Sequence, residues 1–210
     1  MNNTEQLIAE KLVQIQAIKL QPKQPFTWAS GWKSPIYCDN RLTLSYPEVR
    51  AVIAQAFVDK IKQLYPHVEY IAGVATGAIA HGLLVAEKMK LPFVYVRSSA
   101  KEHGMGNQIE GFLPEGKNVV VIEDLISTGG SSLKAVQSLR DAGANVLGML
   151  AIFTYDFSVA KENFDKSNVN VETLSNYHAL IDYALSVNYI ENESVETLKQ
   201  WRENPAEWTI

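Results

Sequence analysis

Apolar residues recur along the first third of this chain at spacings that alternate between helical and extended patterns. Residues 4–17 carry apolar side chains at near-helical spacing, which predicts a short amphipathic helix. The segment QPFTWASGWKSPIYCDNR then has two aromatic-rich stretches around Ser30-Gly31, a pattern that predicts an irregular hairpin. Ser45 and Glu48 have capping-box spacing, so a helix is expected to open there and to run to about Leu64.

From residue 70 onward, apolar runs and helical stretches take turns. The runs predict strands at residues 70–75, 92–97, 118–123 and 145–153, helices at 79–89 and 131–142, and a polar, glycine-containing loop at 98–112. The remainder of the chain indicates helices around one weak strand near residues 169–171. Strands that alternate with helices predict right-handed βαβ units, and therefore an α/β fold with a central, mostly parallel sheet flanked by helices.

Composition narrows the class of protein. The chain has 210 residues, 47% of them hydrophobic, which is expected for a single domain over residues 1–210 with a sizeable core. Its net charge of −4 argues against nucleic acid or an anionic membrane as partner. Cys38 is the sole cysteine, no apolar run approaches the roughly 18 residues of a membrane span, and the start lacks a signal peptide. A cytoplasmic protein is expected.

The stretch VVVIEDLISTGGSS, at residues 119–132, carries the clearest chemical signal. Ligands of a parallel sheet gather beyond the carboxyl ends of its strands, where Glu123 and Asp124 are expected. The loop at 126–131, named here the phosphate cradle, can aim backbone N–H groups at a phosphate where a helix begins. Carboxylates bind phosphate poorly, but they suit sugar hydroxyls and the positive charge that develops during reaction. The pattern therefore predicts a ribose 5-phosphate site.

The same stretch is also compatible with a buried strand followed by a capped helix and no ligand at all. Two familiar nucleotide-binding motifs do not fit it. A Walker A loop is excluded because no Lys follows Gly130 or Gly82 in the required spacing. A dinucleotide fingerprint is excluded because Gly104 and Gly106 lack a third glycine at the right place.

The stretch VVVIEDLISTGGSS resembles the phosphoribosyl-pyrophosphate signature of the type I phosphoribosyltransferases. Two further segments, FTWASGWKSPIYCDNR and YVRSSAKEHGMGNQIEG, stand in the same order as in the bacterial orotate phosphoribosyltransferases, and the resemblance runs from the N-terminal helix to about Tyr155. It implies a type I phosphoribosyltransferase fold with a small hood, made of elements from about residues 1–45 and the C-terminal segment. The implied reaction transfers ribose 5-phosphate from 5-phosphoribosyl 1-diphosphate to orotate, with Mg²⁺ held mainly through that donor, in the biosynthesis of UMP.

The resemblance also implies roles for individual residues. Lys101 and His103, with the acidic pair, are the expected catalytic residues, since cations on the 98–112 loop can follow the departing diphosphate. The donor is expected to contact Arg97, Lys101, His103, Glu123, Asp124, Leu125, Ile126, Ser127, Thr128, Gly129, Gly130 and Ser131. Orotate is expected to contact Phe26, Lys33, Tyr37, Arg41 and Ser127, and no protein side chain is expected to be a dedicated metal ligand.

The chain departs from the family pattern at Ala29, Ser98 and Tyr155, and at Thr76-Gly77, where many relatives have a bulkier polar pair. Many members carry Lys where Ala29 stands, a second Lys where Ser98 stands and Arg where Tyr155 stands. A purine-salvage phosphoribosyltransferase and a non-catalytic nucleotide-sensing regulator therefore remain as alternative functions. The resemblance further implies a two-fold homodimer whose active sites are shared, with the loop of one subunit closing over the site of the other.

Overall fold

The computed structural model describes residues 3–28, 31–98 and 108–208. Its helices are α1 (Asn3–Gln14), the 3-10 helix η1 (Asn40–Ser45), α2 (Pro47–Leu64), α3 (Ile79–Met89), α4 (Gly130–Asp141), α5 (Ser158–Lys166), α6 (Tyr177–Ser186) and α7 (Ser194–Glu203). Its strands are β1 (Ile18–Leu20), β2 (Phe26–Thr27), β3 (Lys33–Ser34), β4 (Ile36–Cys38), β5 (Tyr70–Val74), β6 (Phe93–Val96), β7 (Ile109–Glu110), β8 (Asn118–Ile126), β9 (Asn145–Thr154) and β10 (Val171–Asn176). No helix of the described ranges is both long and apolar enough to cross a membrane.

The main sheet has six strands in the order β10-β9-β8-β5-β6-β7. All neighbouring pairs are parallel except β6 and β7, which run antiparallel. The predicted α/β class and mostly parallel sheet are therefore confirmed. The prediction of a continuous loop over 98–112 is wrong at its end, because Ile109 and Glu110 pair with Val96 and Tyr95 to form the edge strand β7.

Two hydrophobic cores cover the two faces of this sheet. Successive residues of β8 point to opposite faces, so Val120 and Ile122 join one core while Val119 and Val121 join the other. The first core is closed by α1, α2, α3, α6 and α7, and the second by α4 and α5. Strands buried on both faces are expected to be continuously apolar, which is why the four aliphatic residues before the acidic pair form a central strand.

Two predicted boundaries need correction. Helix α2 begins at Pro47 after the N-cap Tyr46, and no side chain caps it, so the predicted capping box at Ser45 does not form. Ser45 instead ends η1, and the fixed φ of proline suits the first helical position. The weak strand was predicted near residues 169–171. The observed strand β10 begins only at Val171, which pairs with Met149 of β9, and runs on to Asn176.

The hood contains the predicted hairpin. Strand β2 pairs with β3, and β1 pairs with β4, both antiparallel. The C-terminal helix α7 fastens this hairpin to the body of the protein, since the fully buried Trp201 donates its Nε1–H to the Lys33 carbonyl at 3.1 Å. An exposed ion pair of 2.7 Å joins Lys23, which precedes β2, to Glu191, which precedes α7.

Candidate active site

The topology of the sheet opens a crevice between the carboxyl ends of β5 and β8. The helix after β5, α3, packs in the first core, whereas the helix after β8, α4, packs in the second core on the opposite face. Because β5 and β8 are neighbours, their following loops turn away from each other at this point. Open parallel sheets bind their ligands where the helices that follow two neighbouring strands pass to opposite faces of the sheet.

Asp124 lies at the floor of this crevice. Its carboxylate sits directly against the loop after β5, so closely that a Cβ built on Gly77 would overlap it. Glycine at position 77 is therefore a steric requirement of the Asp124 position. Asp124 is partly exposed, in contrast to its neighbour Glu123.

Glu123 points the other way and is 4% exposed. One carboxylate oxygen accepts the Asp124 N–H at 2.9 Å, and the other accepts the Ser132 hydroxyl at 2.8 Å. Burial, followed by hydrogen bonding to the Asp124 side chain and by the Asp124 charge, raises the pKa of Glu123 to about 8 from an ordinary 4.5, while the bonds from Ser132 and from the Asp124 N–H act in the opposite direction. The two carboxylates of the pair thus lie in different environments, one buried and one open to the crevice.

The phosphate cradle joins β8 to α4. Gly129 is the N-cap residue of α4 and has a left-handed backbone with φ of +81°, which favours glycine. A Cβ on Gly129 would also lie 2.7 Å from a ring carbon of Phe164. The opposite holds at Gly130, where a Cβ would meet nothing within 4 Å. The Asn163 side chain donates to the Thr128 carbonyl at 3.0 Å and so ties the cradle to α5.

These features together make the cradle suitable for an anion. The first N–H groups of a helix have no intrahelical partner and carry the positive end of the helix dipole. The space beside Gly130 lets a ligand approach the backbone there. Hydroxyl groups of Ser127, Thr128 and Ser131 lie on the same short segment.

His81 lies below the crevice and is completely buried. Its Nε2 is 3.0 Å from the Thr43 hydroxyl, and its Nδ1 is a buried polar atom without a hydrogen-bond partner among the described residues. Burial lowers the pKa of His81 to about 4, although the Asp124 charge acts in the opposite direction. His81 is therefore a neutral imidazole at physiological pH.

The residues expected at the base lie on the hood side of the crevice. Phe26 and Tyr37 have ring centroids 5.6 Å apart, and Tyr37 is 42% exposed. Lys33 donates to the Thr27 hydroxyl at 2.8 Å. Arg41 forms a two-pronged ion pair with Asp39, with N–O distances of 2.7 and 2.9 Å.

Tyr155, which stands where many family members have arginine, belongs to an aromatic cluster and is 3% exposed. Its ring centroid is 5.2 Å from that of Trp28, 5.4 Å from that of Phe157 and 5.8 Å from that of Trp201. Burial raises the pKa of the Tyr155 hydroxyl well above its usual range. An uncharged ring packs in this position where a guanidinium would have to be desolvated.

The cations expected on the loop after β6 are seen only in part. Arg97 directly follows β6 and lies 3.5 Å from the Glu110 carboxylate of β7. Lys101 and His103 lie outside the described residues, as do Ala29 and Ser30.

Two buried polar residues at the site were not predicted from the sequence. Ser132 holds Glu123, and Asn40 donates to the Asp124 carbonyl at 2.6 Å. The signal for Ser132 was its place in the first turn of α4, where a serine facing the strand has a carboxylate within reach. Asn40 is 84 residues away from Asp124 along the chain, so only the fold brings the two together.

Comparison with known proteins agrees with this geometry. The phosphoribosyl transferase domain family matches residues 43–187 of the chain. An orotate phosphoribosyltransferase of Porphyromonas gingivalis is 55% identical over 100% of both chains. Those of Phocaeicola vulgatus and Listeria monocytogenes are 58% and 55% identical, over 99% and 97% of this chain and 98% of each relative. The likeness therefore extends beyond Tyr155, where the resemblance of the motifs ends.

Solved structures show the same relationship. An orotate phosphoribosyltransferase from Aeropyrum pernix has a TM-score of 0.75 at 26% identity, with 88% of this chain and 99% of that chain covered. UMP synthase from Leishmania donovani has a TM-score of 0.80 at 26% identity and is matched over 94% of this chain, which spans 42% of its length. The chain therefore belongs to the phosphoribosyltransferase family and, within it, to the orotate phosphoribosyltransferases.

Proposed function

We propose that the transfer of ribose 5-phosphate from 5-phosphoribosyl 1-diphosphate to orotate takes place in the crevice between β5 and β8. The observation that carries this assignment is the position of the Asp124 carboxylate against Gly77, on the segment that leads into the N-terminus of α4. Hydroxyl-binding oxygens and a phosphate-binding cradle thus lie at one edge of the sheet. A ribose 5-phosphate carries hydroxyl groups on its ring and a phosphate at its 5-position, which correspond to these two parts of the site.

The cradle binds the 5-phosphate of the donor. Support comes from the left-handed Gly129, the open space at Gly130 and the unpaired N–H groups at the start of α4. The hydroxyl groups of Ser127, Thr128 and Ser131 supply further donors, and the backbone of Leu125 and Ile126 leads into this loop.

The acidic pair holds the ribose hydroxyls, and Asp124 offsets the positive charge that develops on the sugar. Asp124 faces the crevice, and its charge stabilises an oxocarbenium-like transition state. Glu123 accepts one hydrogen bond on each oxygen and, with its pKa raised to about 8, binds a ribose hydroxyl as a neutral carboxyl group near neutral pH. Its burial keeps it in one orientation.

Lys101, His103 and Arg97 neutralise the departing diphosphate. This assignment rests on the family pattern, because Lys101 and His103 lie outside the described residues. Arg97 adds a structural argument, since it follows β6 and therefore stands at the carboxyl edge next to β5. Cationic groups placed where negative charge accumulates lower the barrier to departure.

Mg²⁺ accompanies the donor and supplies positive charge to the diphosphate oxygens. The protein donors fit such an ion only in part, because Asp124 offers a partly exposed carboxylate while both Glu123 oxygens are already hydrogen bonded. An ion at this edge would draw most of its ligands from diphosphate, ribose and water oxygens, which is the usual preference of Mg²⁺.

Orotate lies under the hood. The rings of Phe26 and Tyr37 offer flat apolar surface, Lys33 and Arg41 offer positive charge to the carboxylate of the base, and Ser127 of the cradle offers a hydroxyl group. The substrate is tested by offering orotate, uracil, hypoxanthine and adenine side by side with the donor and identifying the nucleotide formed. Orotidine 5-phosphate as the main product supports the assignment, and a purine nucleotide would overturn it in favour of purine salvage. A protein that binds the donor but forms no nucleotide would be a regulator.

The enzyme acts as a two-fold homodimer in which Lys101 and His103 serve the partner's site, while Glu123, Asp124 and the cradle act within their own subunit. Two inactive variants, Lys101→Ala and Asp124→Asn, should then complement each other after mixing under mild denaturation. A mixed dimer carries both lesions in one site and none in the other. Random exchange makes about half of the dimers mixed, so activity should recover to about a quarter of wild type. Absence of recovery in verified mixed dimers would show that each subunit completes its own site.

The reaction belongs in the cytoplasm. Cys38 is a free, half-buried thiol, and burial raises the pKa of this thiol well above its usual range. A single cysteine cannot form an internal disulfide, which suits a reducing compartment. Fractionation of the native cells with an activity assay on each fraction tests this placement.

A further inference from the structure

The backbone of Asp124 lies where the central sheet loses one of its strands. Strand β5 pairs with β8 only as far as Gly73 and Ile122, whereas β9 continues to pair with β8 up to Thr154 and Ile126. In the pairing of β8 with β9, Glu123 lies opposite Ala151 and Leu125 lies opposite Phe153. Asp124, between them, has no paired residue on the described strands.

Two side chains replace the missing strand. The Asp124 N–H donates to the Glu123 carboxylate at 2.9 Å, and the Asp124 carbonyl accepts from the Asn40 side-chain amide at 2.6 Å. The direction of the Asp124 side chain follows from the orientation of these backbone groups. Asn40 therefore helps to decide where the Asp124 carboxylate points.

Asn40 is itself held firmly. It is 1% exposed, and its side-chain oxygen accepts from the Cys38 thiol at 3.4 Å. Its backbone carbonyl accepts the Thr43 hydroxyl at 2.5 Å, and that hydroxyl is 3.0 Å from the buried His81 ring. The network joins the first turn of η1, on the hood side, to α3 and to the end of β8.

We propose that Asn40 is a positioning residue for the transfer, which holds Asp124 in its productive orientation and links the hood to the sugar side of the site. The inference rests on the role proposed above for Asp124. A displacement of about 1 Å at a reacting group can cost a factor of up to about 100 in rate, so an interaction of this kind matters even though Asn40 touches no substrate.

The test is a double-mutant cycle between Asn40→Ala and Asp124→Asn, with turnover and both KM values measured below the lowest melting temperature. Asn40→Ala should lower kcat roughly tenfold and change the KM for the donor much less. In the Asp124→Asn background the same change should lower kcat by less than about twofold, because the carboxylate to be positioned is already lost.

Two further variants separate positioning from general support of the fold. Asn40→Asp keeps size and the acceptor for Cys38 but turns an oxygen toward the Asp124 carbonyl, so it should lower kcat at least as much as alanine does. Asn118→Ala removes a similar bond, from an asparagine to the His67 carbonyl at 3.1 Å, at the opposite end of the same strand. It should leave kcat unchanged.

The outcomes distinguish this inference from the proposed function. If Asp124→Asn alone leaves kcat unchanged, the role of Asp124 is wrong and the inference fails with it. If Asp124→Asn lowers kcat but the two changes are additive, the proposed function stands and Asn40 does not act through Asp124. If both Asn40 variants unfold at the assay temperature, or if Asn118→Ala lowers kcat equally, Asn40 only stabilises the fold and the proposal is rejected.

Discussion

The sugar-phosphate side of the crevice and its hood side are assembled in contrasting ways. The acidic pair, the cradle and Ser132 come from ten consecutive positions, 123–132, on one strand, one turn and one helix. The hood side combines an N-terminal hairpin, the end of β9 and the C-terminal helix, and Trp201 bonds to Lys33 across 168 residues of chain. One side depends mainly on local geometry, and the other depends on distant packing.

The two sides also differ in their chemistry. Polar contacts around Glu123 and Asp124 organise the sugar side, with donor–acceptor distances of 2.6 to 2.9 Å. The hood side is held by aromatic contacts of Trp201 with Trp28, Tyr155, Phe157 and Tyr177, at centroid distances of 5.4 to 5.8 Å. Substitutions on the sugar side are therefore expected to act on turnover, and those under the hood on stability and on affinity for the base.

The largest effect is expected from Asp124→Asn. The change keeps the size of the side chain but removes the charge that faces the developing cation, so turnover should fall by roughly 100-fold or more. Steady-state kinetics with both substrates measures it. Asp182→Asn, an exposed carboxylate on α6, is the matched control and should leave turnover unchanged. If Asp124→Asn kept wild-type turnover, the expectation that substitutions on the sugar side act on turnover would be wrong.

A smaller but still large effect is expected from Trp201→Ala under the hood. Loss of this fully buried ring should lower the free energy of unfolding by about 3–5 kcal/mol. The KM for orotate should rise about tenfold, equivalent to roughly 1.4 kcal/mol of binding, while the KM for the donor changes little. Urea unfolding and kinetics give both numbers.

Trp201→Phe provides the graded control for the same position. It keeps an aromatic ring in the cluster but leaves the Lys33 carbonyl without its donor, which should cost about 1 kcal/mol of stability. A rise in the KM for the donor equal to that for orotate, in either variant, would contradict the independence of the two sides.

The paired glycines of the cradle test whether the sugar side is locally encoded. Gly129→Ala places a side chain at a φ of +81° and against Phe164, so unfolding free energy should fall by about 1–2 kcal/mol or more. Gly130→Ala meets no protein atom, so stability should stay within about 0.5 kcal/mol of wild type. Its methyl group lies where phosphate is expected, so calorimetry should show weaker binding of the donor. Unimpaired donor binding by Gly130→Ala would place the phosphate elsewhere.

The smallest effect concerns the pH dependence of stability through Glu123. Its pKa is raised from 4.5 to about 8, so between these values the folded protein holds a proton that the unfolded chain has released. This contribution to stability is complete below pH 4.5 and is lost as the pH rises through about 8. Melting temperatures between pH 6 and pH 9 should therefore fall less steeply in Glu123→Gln than in wild type. Parallel slopes would show that the buried carboxyl does not titrate in this range.

The sequence alone determined the elements and the reactive segment of this protein. Periodicity predicted the alternation of strands and helices from residue 70 onward, since apolar spacing is a local property of each element. The segment EDLISTGG was recognisable because strand, turn and helix start follow one another directly, and the turn needs glycine at position 129. The short strand β7 was missed because two residues carry too little periodicity to be detected.

Only the tertiary structure decided how the carboxylates are used. Sequence places Glu123 and Asp124 side by side, but the sheet sends one into the second core and the other into the crevice against Gly77. Asn40 and Trp201 reach their partners across 84 and 168 residues, distances over which no sequence pattern indicates a contact. The physical reason is that a strand or a turn is specified by neighbours in sequence, whereas the orientation of a buried polar group depends on which distant side chains arrive to satisfy it.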